Sequence, residues 1–212
     1  MTTPASVVFV IDDDEAVRTS LESLLRSVGQ SVRTFRSTAD FARIERPDAP
    51  ACIVLDVRLP DQSGLEFQRE LARVGGQPLP IVFVTGHGDI AMSVAAMKAG
   101  AIEFLTKPFR HQDLLDAVHR ALAVDRSQRA SAAEIQALRD LFGTLTQRER
   151  EIMGAVAAGR LNKQIAADLG LSEITVKVHR GHVMRKMQAG SLPDLVRIWD
   201  KLIAQLETSP QT

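Results

Sequence analysis

The chain has 212 residues, 45% of them apolar, with 26 Lys/Arg offset by 26 Asp/Glu. That content suffices for one large or two small cored domains and argues against disorder. The longest apolar runs are of strand length, short of the roughly 18 residues a membrane span needs, and no basic stretch precedes an apolar one at the N-terminus, so a cytoplasmic protein with no membrane partner is expected. The neutral total hides two opposed halves: residues 1–125 hold 13 Lys/Arg against 17 Asp/Glu, and residues 144–204 hold 10 against 6. Two different kinds of partner are implied.

Through the first half, short β-branched runs alternate with helical patterns. Strands are expected over 7–11, 31–35, 52–55, 81–84 and 101–105, with helices over 16–28, 37–44, 64–74, 90–99 and from 111 onward. Five successive strand–helix units argue for a parallel sheet covered by helices on both faces, because parallel strands need crossovers that bury both sides. In such a sheet ligands bind beyond the carboxyl ends of the strands. Cys52, the only cysteine, lies inside one of these runs, where a reduced thiol packs.

Those strand ends carry the chemistry. The first finishes in Asp12-Asp13-Asp14, the third in Asp56, the fourth in Thr85, and the fifth runs into Lys107-Pro108. Carboxylates crowded together repel unless a cation neutralises them or a pKa rises. A small set of oxygen ligands with room for water and phosphate suits Mg²⁺. In "CIVLDVRLPDQSG" (52–64) an apolar strand ends on a carboxylate and is followed by Pro60 and Gly64, as expected of a strand that delivers a nucleophile, Asp56, to a shaped loop. Thr85 and Lys107 would hold phosphoryl oxygens. Taken singly, Asp12–Glu15 also reads as a solvated helix N-terminus, Thr85 as a strand end and Lys107 as a surface charge; it is their order at successive strand ends that argues for a site.

The segments "VIDDDEAVR", "IVLDVRLPDQSG", "IVFVTGHGD" and "AIEFLTKPF" resemble the signatures of receiver domains of bacterial two-component response regulators, over roughly residues 6–124. The resemblance implies a flavodoxin-like (βα)5 fold with Asp56 as phosphoacceptor for a sensor histidine kinase. It also implies Mg²⁺ on Asp12, Asp13, Asp56 and the backbone carbonyl of Arg58, phosphoryl contacts from Thr85 and Lys107, Phe104 as the switch aromatic, and a cis Lys107-Pro108 bond. Many receivers carry Tyr at the switch position; this chain has no Tyr, so a hydroxyl-mediated part of the switch is absent. A rival resemblance is to haloacid-dehalogenase-type phosphatases, with Asp12 as nucleophile of a phosphohydrolase. Against it, residue 16 is Ala, no later strand supplies an acidic pair, no cap domain is inserted, and Asp56 would have no role.

The segment "AVDRSQRASAAEIQALRDLFG" (123–143) has no Pro, and no Gly before its end, and should extend the preceding helix as a stiff connector over 125–143. Beyond it, "LTQREREIMGAVAAGRLNKQIAADLGLSEITVKVHRGHVMRKM" opens with a capping box, Thr146 and Glu149, on a helix that stops at Gly159. Asn162 should cap a short helix, Ser172 a longer basic one to about Met187, and a last helix should span 192–206. Two helices joined at Gly170 make helix-turn-helix geometry. In the longer one, Val176, His179, Val183 and Met187 form an inward stripe, with Lys177, Val178, Gly181 and Arg185 opposite. Arg180, Lys186 and Lys163 flank them for phosphates, and Asn162 and Thr175 stand beside. His179 and His182, at i and i+3, hint at a metal but have no partner at suitable sequence spacing. Trp199, on the amphipathic last helix, reads as a core or dimer contact.

Residues 144–203 resemble the LuxR-type four-helix DNA-binding domain, and the whole chain resembles response regulators of the FixJ/NarL class. By that resemblance Lys177 and Val178 face the major groove with Gly181 alongside. Implied are promoter DNA and RNA polymerase as partners, homodimerisation on phosphorylation through the helices at 90–99 and from 111, and no enzymatic activity beyond phosphoryl acceptance at Asp56. A phospho-switched module whose helical domain grips a protein is the remaining alternative.

Overall fold

The computed structural model describes residues 6–73, 78–86 and 88–208. In chain order the elements are β1 (Val7–Ile11), α1 (Glu15–Ser27), β2 (Ser31–Phe35), α2 (Thr38–Ala42), β3 (Ala51–Leu55), α3 (Gly64–Arg73), β4 (Ile81–Thr85), α4 (Ile90–Lys98), β5 (Glu103–Thr106), α5 (His111–Gly143), α6 (Gln147–Ala157), α7 (Asn162–Leu169), α8 (Glu173–Lys186) and α9 (Leu192–Thr208). Val74, expected to end the third helix, lies outside the described residues. All strand pairs are parallel, in the order β2-β1-β3-β4-β5, so the chain reverses its direction of winding between β1 and β3. This is the flavodoxin-like arrangement, and its crevice opens between those two strands.

Strand pleating sorts the core by size. Val8, Val10, Cys52, Val54, Val82 and Val84 face Leu21 and Leu25 of α1 and Leu114, Ala117, Val118, Ala121 and Leu122 of α5. The alternate positions Phe9, Ile11, Ile53, Leu55, Ile81 and Phe83 face Phe41 of α2, Phe67 of α3 and Ala96 of α4. Each such apolar side chain contributes about 1.5–3 kcal/mol on burial, which is why near-continuous apolar runs define this sheet. Burial also pushes the Cys52 thiol up, so it stays protonated.

β5 begins two residues later than the apolar run suggests. Gly100 at φ +88° ends α4, and Ala101 N–H still donates to Ala96 of that helix at 3.1 Å, so Ala101 serves the turn, while Ile102 N–H already donates to the Ile81 carbonyl of β4 at 2.8 Å. α4 is also tied from outside: Gln68 of α3, buried, donates through Nε2 to the carbonyls of Ala96 at 3.3 Å and Ala99 at 3.1 Å.

The chain divides into compact units over 1–130 and 131–212, and α5 contributes to both. The first unit extends past residue 125, where the connector is expected to begin. Asp125 is buried in the first unit, where it accepts the Ala51 N–H at 2.9 Å and pairs with Arg129 Nε at 2.7 Å, while Arg129 also reaches Asp48 at 3.0 Å. Further along, Leu138, Leu141 and Phe142 pack on the core of the second unit.

That second core gathers Leu145, Ile152, Met153, Val156, Ile165, Ala166, Val176, Val183, Met187, Leu195 and Leu202. The capping box is present: Thr146 N–H donates to Glu149 Oε2 at 2.8 Å and Glu149 N–H to Thr146 Oγ1 at 3.3 Å. Asn162, by contrast, is the first helical residue rather than a cap. Leu161 precedes it, and Gln164 accepts the Leu161 N–H at 2.9 Å. Gly159 (φ +77°) and Gly170 (φ +65°) take the left-handed conformation that lets each helix end.

Gly64, expected with Pro60 to shape the loop after Asp56, opens α3, and a Cβ there would run into the carbonyl oxygen of Asp56, with Leu55 and Phe83 at 3.2 Å behind it. Gly64→Ala should therefore cost roughly 1–3 kcal/mol of overpacking in the first unit, read as a lower thermal midpoint against wild type. In the second unit, burial opposes the charge of Glu149, but the Lys186 hydrogen bond and the Thr146 N–H hold its carboxyl down to about 2 from an ordinary 4.5. A carboxyl lowered in the fold stabilises it above the ordinary value and loses that contribution as pH falls toward the folded one. Stability read by Trp199 fluorescence should decline between pH 4.5 and about 2, and Glu149→Gln should flatten that decline; an unchanged slope would assign it to another group.

Candidate functional site

The carboxyl ends of β1 and β3 place Asp12 and Asp56 on either side of the crevice. Asp12 is 2% exposed and Asp56 9%, while Asp13 is exposed. Carboxylate oxygens of Asp12, Asp13 and Asp56 lie within 4.8 Å of one another. Asp14 is apart from them in role: it caps α1, accepting from Ala16 N–H at 2.8 Å and Val17 N–H at 3.3 Å, so the helix-terminus reading holds for this one aspartate.

The cation at the site is Lys107, whose ammonium stands 2.8 Å from Asp12 Oδ2 and 3.4 Å from Asp56 Oδ2. Burial raises the Asp12 carboxyl above the usual carboxylate range, opposed by the hydrogen bonds from Lys107 and from the Asp14 N–H. Burial also disfavours the Lys107 ammonium, but the hydrogen bond and charge of Asp12, with Asp56, more than reverse this and leave Lys107 above the ordinary lysine value. The Lys107-Pro108 bond is cis, and Lys107 N–H donates to the Thr85 carbonyl at 2.8 Å. Thr85 is 1% exposed at the end of β4.

The loop after Asp56 is fastened at several points. Arg58 N–H donates to Asp56 Oδ1 at 3.0 Å, and Gly64 N–H to the Val57 carbonyl at 2.8 Å. Asp61 accepts from Thr38 Oγ1 at 2.7 Å and from Ala39 N–H at 3.2 Å at the start of α2. These bonds outweigh partial burial and lower its carboxyl. Neither Asp61 nor Arg18, which donates to the Asp12 carbonyl at 2.7 Å, stood out in the sequence. An isolated aspartate in a Pro-containing loop gives no hint that its partner is a threonine 23 residues away.

Phe104 on β5 is half-buried, its ring 5.9 Å from that of Phe83. A Cβ at Gly88 would stand 2.7 Å from the Phe104 ring, so glycine there makes room for the aromatic. Nearby on α4, Ile90 is 84% exposed and Val94 and Met97 each 45%, an apolar face left in water.

In the second unit, α8 presents Ile174, Lys177, Val178, Gly181 and Arg185 to solvent and buries Val176 and Val183. Lys163 on α7 is exposed as well. Four of the expected DNA-face residues hydrogen-bond within the fold. Lys186 reaches Glu149 Oε2 at 2.7 Å and the Thr144 carbonyl at 3.1 Å; Arg180 donates to Asn162 Oδ1. Thr175 shares a hydrogen bond of 2.8 Å with Ser172, the cap of α8.

The two histidines do acquire a carboxylate partner, contrary to expectation. Folding brings Glu149 of α6 within 4.8 Å of His179 and His182, a closeness that spacing along the chain cannot reveal. Its Oε2 is occupied by Lys186 and the Thr146 N–H, and its Oε1 lies 3.7 Å from His182 Nδ1. The Lys186 ammonium on Oε2 already offsets the Glu149 charge, which disfavours a second cation beside it.

Residues 8–119 match the family described as the response regulator receiver domain, and residues 143–199 the bacterial regulatory proteins of the luxR family. Nodulation protein W of Bradyrhizobium diazoefficiens is 51% identical over 98% of this chain and 91% of its own length. Transcriptional regulatory protein FixJ of Rhizobium meliloti is 41% identical over 90% of this chain and 93% of its own length. Among solved structures, the response regulator StyR superposes with a TM-score of 0.81 at 46% identity, covering 93% of this chain and 99% of StyR.

Because Lys107 is the cation on both carboxylates, Lys107→Ala should destabilise the first unit by about 1–3 kcal/mol in metal-free buffer. Millimolar Mg²⁺ should then restore more thermal stability to the variant than it adds to wild type; equal gains would mean that the lysine and the metal do not share these carboxylates.

Proposed function

This chain belongs to the bacterial response regulators that join a receiver domain to a LuxR-type DNA-binding domain, and on that footing we propose that Asp56 accepts a phosphoryl group from a sensor histidine kinase and thereby controls promoter binding. The observation that carries this reading is the Lys107 ammonium held between Asp12 and Asp56 at the crevice of the sheet. A carboxylate oxygen of Asp56 forms the new P–O bond as the P–N bond of the kinase's phosphohistidine breaks, and the imidazole leaves. Lys107 and the Thr85 hydroxyl hold the phosphoryl oxygens.

The donor set fits a hard divalent cation: three carboxylates with oxygens within 4.8 Å of one another are oxygen-only ligands for Mg²⁺, and the family resemblance adds the Arg58 carbonyl. When bound, Mg²⁺ supplies charge that offsets repulsion between these carboxylates and the phosphoryl oxygens. Asp56, Thr85 and Lys107 are the residues on which acceptance depends.

Phosphorylation shifts a population rather than creating a new fold. Thr85 moves toward the phosphoryl group, Phe104 turns into the space beside Phe83, and the exposed face of α4, with Ile90, Val94 and Met97, becomes a dimer contact together with the start of α5. Two copies then present two α8 helices to half-sites about one helical turn apart, which one helix alone cannot read with useful specificity. Lys177, Val178, Gly181 and Arg185 face base edges, while Lys163 contacts phosphates. Promoter DNA and RNA polymerase place the site of action in the cytoplasm; among the described residues no helix is long and apolar enough to cross a membrane.

Intact mass after incubation with Mg²⁺ and acetyl phosphate tests the assignment. Wild type should gain one phosphoryl group and Asp56→Asn none. Phosphate release that survives Asp56→Asn and stops in Asp12→Asn would instead make Asp12 the nucleophile of a phosphohydrolase.

A further inference from the structure

The outward stripe of α8 begins with two residues that offer no hydrogen bond. Ile174 is 77% exposed and Val178 51%, and their spacing of four puts them on one line with Gly181 and Arg185. Folding does not require either side chain there, since the helix is already anchored by Val176 and Val183 on its opposite face and started by the Ser172 cap. Isoleucine in the first turn is also a weaker helix former than the straight-chain residues, so its presence is not a matter of local propensity. Apolar surface held in water on a helix otherwise fringed with Lys177, Arg185 and Lys163 points to a ligand that is anionic around its edge and apolar at one spot.

Duplex DNA has that chemistry. Phosphates line both rims of the major groove, and the one apolar group on its floor is the 5-methyl of thymine. N-terminal residues of a recognition helix approach base edges most closely, and Ile174 is the second residue of α8. We propose that Ile174, with Val178, reads thymine methyl groups, making Ile174 a specificity-determining residue of this regulator. The inference rests on α8 entering the major groove. It commits the half-site to thymine, or to another 5-methylated pyrimidine, opposite the first turn of α8. Guanine reading is left to the donors Lys177 and Arg185.

Deoxyuridine differs from thymidine by that methyl alone, which supplies the test. The phosphorylated full-length protein is used to select a site from random duplexes, and each thymine of that site is replaced by deoxyuridine in turn. Wild type should lose about fourfold in affinity at one or two positions, the effect expected of a single buried methyl. Ile174→Ala, an exposed substitution that leaves Trp199 fluorescence unchanged, should bind the thymine and uracil probes alike at those positions. Lys163→Ala should weaken every probe by the same factor while keeping the thymine preference. Uracil tolerated at every position, or a thymine preference that persists in Ile174→Ala, overturns the proposal while leaving DNA reading by α8 intact. Selection that enriches no motif overturns the proposal and the DNA-reading function together, and favours a protein partner for this face.

Discussion

Two carboxylates facing each other across the crevice of a parallel sheet, with one lysine between them, form the constraint on which the receiver half depends. Asp12 and Asp56 end neighbouring strands because the order β2-β1-β3 sets those strands side by side, and Lys107 reaches both from the far end of β5. Like charges this close to the core are tolerable only while a cation offsets them. The same imbalance makes the site costly to assemble and favours an added cation there.

The surroundings of that site are built to hold it still on one side and leave it free on the other. The loop after β3 is fastened through Asp56, Asp61 and Gly64 to α2 and α3, so Asp56 keeps its position. Toward β4 and β5 the packing is looser: Phe104 is only half-buried against Phe83, and α4 turns an apolar face to water. Gln68 ties only the C-terminal carbonyls of α4 to α3.

In the DNA-binding half, a buried carboxylate again organises the structure, to a different end. Glu149 caps its own helix and receives Lys186 from α8, so α8 is fixed at its back while its front stays open. Lys186, a cation the sequence suggests for DNA, is paired with Glu149 in the fold. What remains outward is a short line of Ile174, Val178, Gly181 and Arg185 beside Lys177, apolar at its leading end and charged toward its tail.

Much of this was legible in the chain itself, because it depends on local order. Apolar runs of strand length alternating with helical spacing dictate a parallel sheet, and functional residues just past those runs must share one edge whatever the detailed packing. Capping chemistry at Thr146 and Ser172, and left-handed glycines at 159 and 170, mark helix ends through interactions spanning only a few residues. Tertiary structure alone decided the pairings between distant residues. Lys107 chose Asp12 over Asp56 as its nearer partner, Asp125 belonged to the receiver rather than to a connector, and Glu149 took Lys186 and approached two histidines. Hydrophobic periodicity says which face of an element is buried, but a hydrogen bond or ion pair needs atoms within about 3 Å, and that distance is set only when separate elements are packed.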